Sequence, residues 1–303
     1  MNTYGEGLKK HIEEADGVIV GIGNEFAADV EGIATGSELY SFYKSCVSRY
    51  TDDISCDDVS SNNISGNDVS VSDMEQYVKY SIYYSELSEG QNSTINKYID
   101  AYKKIHTLLE NKRYFVLTTN TDDIIYEGGF DENSIAAPCG SILRLQAGCE
   151  CGSFCQSAKP VLEEIYKILT RLHNEKDKLT KDTVSEYLKE IKAIIPKCDS
   201  CNDLRVFNVH GEKGYDERGY MQQWERYTGW LQLTLNKKLV LLELGVGFDV
   251  PTVIRWPFEK IAMLNYKAWL YRVNGKLPQL PSELKDKGTS VNENSFEFIN
   301  SNF

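Results

Sequence analysis

The apolar run Tyr114-Phe115-Val116-Leu117 leads directly into the polar segment Thr118-Thr119-Asn120-Thr121-Asp122. A short apolar run of this kind predicts a buried strand, which here delivers an amide and a carboxylate to its carboxyl end. Open α/β sheets bind their ligands at that end of the strands. Asn120 and Asp122 are therefore candidate site residues. Since one residue separates them, the two side chains can hold different parts of a ligand such as a sugar.

Alternating strands and helices predict the fold class. The run Val18-Ile19-Val20 ends in a glycine turn at Gly21-Ile22-Gly23, where a nucleotide-binding fold is expected to begin. Apolar residues between Ile95 and Leu109 recur at helical spacing and predict a core-facing helix before the strand at 114–117. Further strands are predicted at 205–207, 239–242 and 269–273. This alternation predicts an α/β fold with a mostly parallel sheet and right-handed crossovers.

The net charge of −12 limits the partners of the chain. Since a polyanion would be repelled, we expect no nucleic-acid partner. The longest apolar stretch, which begins at 239–242, is too short to span a bilayer, so we expect no membrane partner. The start of the chain predicts a charged amphipathic helix with Leu8, Ile12 and Ala15 on one face, which differs from the apolar core of a signal peptide. We therefore expect a cytoplasmic protein.

The segment 51–78 contains seven acidic residues, no Lys or Arg, and many Ser and Asn. Such a composition buries little apolar surface, so it predicts a flexible acidic insert within the domain. A calcium loop is the alternative, but the aspartates lack the regular spacing and the central glycine that such loops need.

Two groups of cysteines flank a predicted helical hairpin. Cys149, Cys151 and Cys155 precede the hairpin, and the pair Cys198-Asp199-Ser200-Cys201 follows it. Structural zinc needs four soft ligands, and pairs of cysteines two residues apart supply them well. We therefore expect one zinc ion held by Cys151, Cys155, Cys198 and Cys201, because the single-residue gap after Cys149 would strain joint chelation. The alternative is that the cysteines are free thiols.

Several segments together resemble the sirtuin family. Gly21-Ile22-Gly23-Asn24-Glu25-Phe26-Ala27-Ala28-Asp29 is similar to the sirtuin loop GAGxSxxxG, and 137–143 aligns with the segment that contains HGS in sirtuins. The run 241–258, Leu-Leu-Glu-Leu-Gly-Val-Gly-Phe-Asp-Val-Pro-Thr-Val-Ile-Arg-Trp-Pro-Phe, is similar to ELGVGxNTPxIIRxPF of class M sirtuins. Together with the aromatic run at 220–230, it makes class M the nearest group.

The resemblance implies a Rossmann-like NAD-binding domain at 1–140 and 202–303, with a small zinc-binding module at 141–201. It implies cleavage of the nicotinamide glycosidic bond through an oxocarbenium-like state. Asn120 would orient the nicotinamide ribose and a water, Asp122 would hold the nicotinamide or the ribose, and Arg205 would steady the ADP-ribose. The implied NAD-binding residues are Gly21, Gly23, Ala27, Thr119, Asn120, Gly245, Gly247 and Asn274.

The chain departs from the sirtuin pattern at four positions. Glu25, Asp29 and Asp249 add negative charge where the family has neutral residues, and such charge repels a diphosphate. Cys139 stands where sirtuin deacylases have their catalytic His, and a thiol with an ordinary pKa near 8.5 is a poor substitute for imidazole. Cys139 is thus either a reactive thiol or a small buried residue, and base-dependent deacylation is disfavoured.

By resemblance, we expect an NAD-dependent protein ADP-ribosyltransferase. A lipoyl-carrier protein related to the glycine cleavage H protein is the implied acceptor, and a macrodomain protein is an implied partner. The alternatives are an NAD-dependent deacylase, an NAD hydrolase and a non-catalytic binder of NAD or ADP-ribose.

Overall fold

The computed structural model describes residues 3–50, 69–148, 151, 155–212 and 214–303. Its described helices are α1 (Thr3–Glu14), α2 (Glu31–Thr35), α3 (Glu38–Tyr50), α4 (Val71–Glu89), α5 (Ser93–Leu108), α6 (Lys159–Asn174), α7 (Lys181–Ile194), α8 (Met221–Gln232), α9 (Arg255–Leu264) and α10 (Ser295–Asn302). The strands are β1 (Gly17–Ile22), β2 (Tyr114–Thr118), β3 (Ile135–Ala136), β4 (Gly140–Ala147), β5 (Gln156–Ser157), β6 (Arg205–Val209), β7 (Leu239–Leu244), β8 (Ala268–Val273) and β9 (Gly288–Val291).

The chain divides into two compact units. The first unit comprises Met1–Ala28, Ser93–Ser141 and Glu217–Phe303, and the second comprises Asp29–Asn92 and Ile142–Asp216. The second unit is larger than the module expected at 141–201, because 29–92 and 202–216 also belong to it.

The first unit is built on a six-stranded sheet with the order β3-β2-β1-β7-β8-β9, and all of its strand pairs are parallel. The strand order reverses between β1 and β7, which pair from Gly17 with Leu239 to Ile22 with Leu244. This is the order of doubly wound dinucleotide-binding folds, whose ligands lie beyond the carboxyl ends of the strands at the reversal. The parallel α/β sheet expected from the sequence is confirmed.

Apolar strands make the sheet of the first unit a buried layer. Every residue of β1 and β7 is buried, as the continuous apolar runs predict for strands covered on both faces. On one face, Ile19 and Phe115 pack in a cluster with Tyr227 of α8 and Phe258 of α9.

The second unit consists mainly of packed helices and a three-stranded sheet with the order β5-β4-β6. In it, α6 packs against α4 and α7. Helices α6 and α7 confirm the helical hairpin expected between the cysteine groups. The strand predicted at 205–207 forms as β6, but it belongs to this small sheet and not to the parallel one.

The flexible insert expected at 51–78 is wrong for its last part. Residues 51–68 lie outside the described residues, whereas α4 begins at Val71 and buries Met74, Tyr77 and Val78. The helix starts there because Ser70 and Asp73 form a capping box, in which each side chain accepts from the backbone N–H of the other. The local cap and the apolar spacing outweigh the acidic composition.

The amino-terminal helix expected from the sequence is confirmed as α1, which buries Leu8 and Ile12. Within the described part of the chain, no helix has the length and apolarity needed to cross a membrane.

Candidate functional site

The turns that follow β1 and β7 pack directly against each other. The Gly23 N–H donates to the Leu244 carbonyl at 2.9 Å, and the Glu25 N–H donates to the Gly245 carbonyl at 3.2 Å. A Cβ at Gly23 would lie 2.6 Å from the Gly245 oxygen, and one at Gly245 would lie 2.6 Å from the Phe26 nitrogen. Gly245 also has a positive φ of 66°. Glycine is therefore required at both positions so that the two turns can meet at the reversal of strand order.

Two of the predicted NAD-binding residues, Gly21 and Asn274, make close contacts within the protein. A Cβ at Gly21 would lie 2.3 Å from the Ile254 side chain, so this glycine lets α9 pack on the strand. The buried Asn274 amide donates to the Val246 carbonyl at 3.2 Å, and its oxygen accepts from Lys276 N–H and Leu277 N–H at 2.9 and 2.7 Å. Asn274 thus shapes the loop after β8.

Ala27 and Gly247 lie in the paired turns. Ala27 is buried at the end of a short 3₁₀ helix, Asn24–Ala27, that opens the first turn. Gly247 lies in the second turn, where Arg255 holds the neighbouring Val246 carbonyl through Nη1 at 3.0 Å. The Arg255 guanidinium also stacks 4.3 Å from the centre of the Phe248 ring. These contacts fix the shape of the second turn.

The carboxylate of Glu25 has partners within the first unit. It accepts from the Gly275 N–H at 3.0 Å and from the Ser295 N–H at 2.9 Å. Since Ser295 is the first residue of α10, the carboxylate meets the positive end of that helix dipole. The expected repulsion between Glu25 and a diphosphate is therefore reduced by backbone groups that already face the charge.

The other two added carboxylates are exposed. Asp249 accepts from the Asn24 amide at 3.3 Å and lies beside the paired turns. Asp29 is the first residue of the second unit. Their charges are therefore screened by solvent more strongly than a buried charge would be.

Asn120 lies one strand away from the paired turns, just past the end of β2. Its backbone N–H donates to Thr118 Oγ1 at 3.0 Å, and the preceding Thr119 N–H donates to the Ile22 carbonyl at 3.0 Å. Both Oδ1 and Nδ2 of Asn120 are buried and make no hydrogen bond of good geometry among the described residues. No other side chain in the described ranges leaves two buried polar atoms in this state. Buried polar atoms without hydrogen bonds lower the stability of the folded state. A polar ligand at this strand end would supply the missing partners of the amide.

Asp122 follows Asn120 and is also buried. Its Oδ1 accepts from the Ile124 N–H at 2.9 Å. Burial raises the pKa of Asp122 to about 7, opposed by this hydrogen bond and assisted by the charge of Asp123. Asp123 has a positive φ of 62° and accepts from Ser141 Oγ at 2.6 Å. The strand end therefore contains a carboxyl group that titrates near neutral pH.

Tyr102 belongs to this strand end, although the sequence indicated only a core residue. It is fully buried on α5. Burial raises its pKa well above the ordinary value, the Asp122 charge raises it further, and the Asn120 amide lowers it. The hydroxyl therefore lies within interaction range of both side chains. The only feature of the sequence that could have indicated this role is the hydroxyl of Tyr102 among the apolar residues that recur at helical spacing in 95–109.

Cys139 is a buried residue just before β4. Burial raises the pKa of its thiol to about 11, so the thiol is protonated at neutral pH. Since a reactive cysteine needs a lowered pKa, the structure favours the small buried residue over the reactive thiol.

Arg205 lies in the second unit and begins β6. Its side chain is buried, so it is not a surface residue. Its carbonyl accepts from the hydroxyl of Tyr77 at 2.7 Å, and its N–H donates to the Pro196 carbonyl at 3.0 Å. These two bonds hold the backbone of Arg205 in place, and a guanidinium can fork onto ligand oxygens.

Three of the four predicted zinc ligands come together in the second unit. The sulfur atoms of Cys151, Cys198 and Cys201 all lie within 4.8 Å of one another. Cys155 is not part of this group among the described residues, and Cys149 lies outside them. Three thiols that converge without disulfide bonds match the soft ligands of a metal site.

Comparisons with curated proteins found two relatives with related names. A protein ADP-ribosyltransferase of Staphylococcus aureus (strain Mu50) is 21% identical over 296 residues, which cover 95% of this chain and 83% of that protein. A probable bifunctional ADP-ribose hydrolase/ADP-ribosyltransferase of Fusarium oxysporum f. sp. cubense is 29% identical over 183 residues, which cover 58% of this chain and 28% of that protein. No family model matches the chain.

Solved structures of sirtuins share the fold. A sirtuin from a study of the structural basis of substrate affinity covers 100% of this chain and 98% of its own, with a TM-score of 0.51 and 15% identity. A complex of Sir2 with a p53 peptide and NAD⁺ covers 99% of this chain and 97% of its own, with a TM-score of 0.50 and 13% identity. The chain therefore has the Rossmann-like sirtuin fold that the sequence resemblance implied.

Proposed function

We propose that this chain with a sirtuin fold is an NAD-dependent protein ADP-ribosyltransferase of the class M type. The observation that carries the proposal is the buried amide of Asn120, which lies at a strand end beside the reversal of strand order and has two polar atoms suited to a ligand. The names of the two relatives, both ADP-ribosyltransferases, support the same chemistry. The NAD complex of a protein with this fold supports NAD as the dinucleotide.

In this proposal, the residues of the strand end and the paired turns have separate tasks. NAD supplies a glycosidic bond that, once broken, releases nicotinamide and makes the ADP-ribosyl group available to an acceptor. The turns around Gly23, Ala27, Gly245 and Gly247 hold the dinucleotide through backbone groups, and Thr119 keeps the adjacent strand end in register. Asn120 orients the reacting ribose.

Two further side chains act on the reacting groups. Asp122 holds the nicotinamide or the ribose and exchanges a proton near neutral pH, because burial raises its pKa to about 7. As the resemblance implies, Arg205 steadies the transferred group, because a guanidinium stays charged at all physiological pH values. Gly21 and Asn274 complete the proposed NAD-binding residues, and they also support the packing of α9 and the loop after β8.

Transfer to a protein is favoured over deacylation. A deacylase of this fold needs a base at position 139, and the thiol there is buried with a pKa near 11. Such a group cannot accept a proton at neutral pH. The names of the two relatives support a protein acceptor. The resemblance to class M sirtuins suggests a lipoyl carrier related to the glycine cleavage H protein as that acceptor and a macrodomain protein as a partner. We propose the cytoplasm as the location.

The proposal predicts a strong effect of Asn120→Ala on catalysis. Because the amide would orient the reacting ribose, its loss should cost about 2 to 4 kcal/mol of transition-state stabilisation, or roughly a 30- to 1,000-fold fall in nicotinamide release. NAD binding should persist in calorimetric titration. Asn133→Ala, an exposed turn residue of the same unit, is the matched control and should match the parent. Equal nicotinamide release by Asn120→Ala and the parent would place the chemistry elsewhere.

We further propose that zinc binds Cys151, Cys198 and Cys201, with Cys155 as the fourth ligand, and so stabilises the second unit. Elemental analysis of protein purified without chelator should give about one zinc per chain, and Cys198→Ser should remove it. The variant should lose helix packing in the second unit, as reported by hydrogen exchange, and keep a protected sheet in the first. Cys46→Ser, a buried thiol outside the cluster, is the control and should keep the metal. Protein without zinc that retains parental hydrogen exchange throughout would refute this proposal.

A further inference from the structure

Three segments of the first unit lie at the amino edge of the parallel sheet, opposite the edge that carries the candidate site. They lead into the neighbouring strands β7, β8 and β9 and comprise residues 233–238, 263–267 and 285–287. The segments touch one another. Asn265 Nδ2 donates to the Lys237 carbonyl at 3.1 Å, and Lys287 Nζ donates to the Met263 carbonyl at 3.3 Å. They therefore form one continuous surface, called here the amino-edge surface.

The amino-edge surface contains half of the ten large apolar side chains that are exposed in the described part of the chain. These five are Leu233, Leu235, Met263, Leu264 and Tyr266. Leu235, Leu264 and Tyr266 are 73, 72 and 89% exposed, which makes them the most exposed of the ten. Single exposed apolar side chains are ordinary, whereas several on adjoining segments mark a contact site for another molecule.

The amino-edge surface is also basic, although the chain has a net charge of −12. Its one acidic residue is Asp286, and its five lysines are Lys237, Lys238, Lys267, Lys285 and Lys287. Within the described ranges, Lys238 alone of these forms an ion pair, with Glu14 at 3.9 Å. Lys287 lies 5.0 Å from the centre of the Tyr266 ring, so charge and apolar area are interleaved. The surface therefore complements one that is acidic and partly apolar.

Two other occupants fit the amino-edge surface less well. In a two-fold dimer the surface would meet itself, so lysines would face lysines. A contact with a different, acidic surface of the next copy would leave open ends unless its rotation closed a ring. An anionic bilayer extends beyond the surface as a plane of charge, so it would repel the acidic remainder of the chain. A separate protein with a local acidic patch meets neither obstacle.

We propose that the amino-edge surface is a docking site for a protein that presents acidic residues around exposed apolar ones. Burial of the leucines and of Tyr266 supplies the affinity, and the lysines steer the encounter and fix its register. Because the candidate site lies at the opposite edge of the sheet, the partner can be bound while that edge stays open. The inference does not depend on the reaction proposed above.

Photo-crosslinking in cells that express the chain identifies the partner. Tyr266→p-benzoylphenylalanine should crosslink to an acidic protein that Met221→p-benzoylphenylalanine does not capture. Met221 is the matched control position, because it is an exposed apolar residue of the first unit at the start of α8.

Calorimetry with the captured protein, purified, then measures which side chains carry the contact. The double variant Leu235→Ser, Tyr266→Ser should raise Kd by about tenfold or more, since it removes apolar area from the contact. The double variant Lys237→Glu, Lys267→Glu should raise Kd by a similar factor, and added salt should weaken binding of the parent more than binding of this variant. Met221→Ser should bind like the parent. All of these positions are exposed, so thermal unfolding should be unchanged.

Four results would overturn the inference. They are capture of no protein at Tyr266, capture of a second copy of this chain alone, and a captured protein whose Kd is the same for the parent and both double variants. The fourth is sedimentation of the parent with vesicles of phosphatidylglycerol and phosphatidylcholine in equal parts that is lost in the Leu235→Ser, Tyr266→Ser variant, because it would assign the surface to a membrane.

Discussion

The paired turns after β1 and β7 and the strand end after β2 lie side by side at the carboxyl edge of one sheet, yet they are built in opposite ways. In the turns, backbone groups bond to each other, Glu25 is held by two N–H groups, and Arg255 holds the Val246 carbonyl. At the strand end, the amide of Asn120 and the hydroxyl of Tyr102 are buried and make no hydrogen bond of good geometry with the part of the chain that the structure describes.

The difference indicates which region stabilises the fold and which region is organised to bind a ligand. Satisfied polar groups and close glycine contacts make the turns rigid, as a support for the proposed dinucleotide would need to be. Unused polar atoms and a buried carboxyl lower stability at the strand end, as expected of a site organised for a ligand. Changes at the strand end should therefore impair chemistry and spare or raise stability, whereas changes in the turns should impair stability first.

The largest stability effect should come from Asp122 and should depend on pH. The unfolded chain releases this proton near the ordinary value of 3.8, and the folded chain releases it near 7. The folded state thus binds more protons in this interval, so Asp122 lowers stability progressively as the pH rises from about 4 to about 7. At about 1.4 kcal/mol per pKa unit, the cost approaches roughly 4 kcal/mol above pH 7.

Asp122→Asn, which cannot ionise, should therefore be more stable than the parent at pH 8 and similar to it at pH 4. Urea unfolding at both pH values measures the difference. Asp131→Asn is the control, because Asp131 is exposed at a short turn. If the parent and Asp122→Asn show the same pH dependence, the strand end does not hold a destabilising carboxylate.

Gly245→Ala should produce a somewhat smaller loss, of about 3 kcal/mol, in urea unfolding. A left-handed residue with a side chain costs about 1 to 2 kcal/mol, and overpacking costs about 1 to 3 kcal/mol more. Gly247→Ala in the same turn is the control: its Cβ would lie 3.5 Å from Asp249 Oδ2, which is an ordinary contact, and stability should change little. Equal unfolding midpoints for these two variants would show that the turns can accommodate an added methyl group at little cost, contrary to what their packing indicates.

Much of the fold was predictable because its signals are local. The continuous apolar runs at 18–20, 114–117 and 239–242 predicted the central strands, and the helical spacing at 95–109 predicted α5. The acidic composition of 51–78 did not predict the start of α4, because the cap formed by Ser70 and Asp73 acts locally and outweighs it. The strand order, with its reversal between β1 and β7, depends on tertiary packing and is visible only in the structure.

The candidate site was predictable where its polar residues directly follow an apolar strand in the sequence. Asn120 and Asp122 could be found because polar residues after an apolar strand are unusual. The partners of Glu25 could not be predicted, because Gly275 and Ser295 are distant from it along the chain. The burial of Asp122 could not be predicted either, because it depends on tertiary packing. For the same reason Tyr102 resembled any core residue of a helix, and the backbone partners of the Asn274 amide could not be predicted.

Calorimetric titration of NAD into the purified protein tests the central claim most directly, because every proposed role depends on a dinucleotide at this edge of the sheet. The account predicts one NAD bound per chain, with a Kd between about 1 μM and 1 mM, the usual range for enzyme substrates. ADP-ribose should compete for the same site. Absence of binding at several millimolar NAD, in folded protein, would contradict the account.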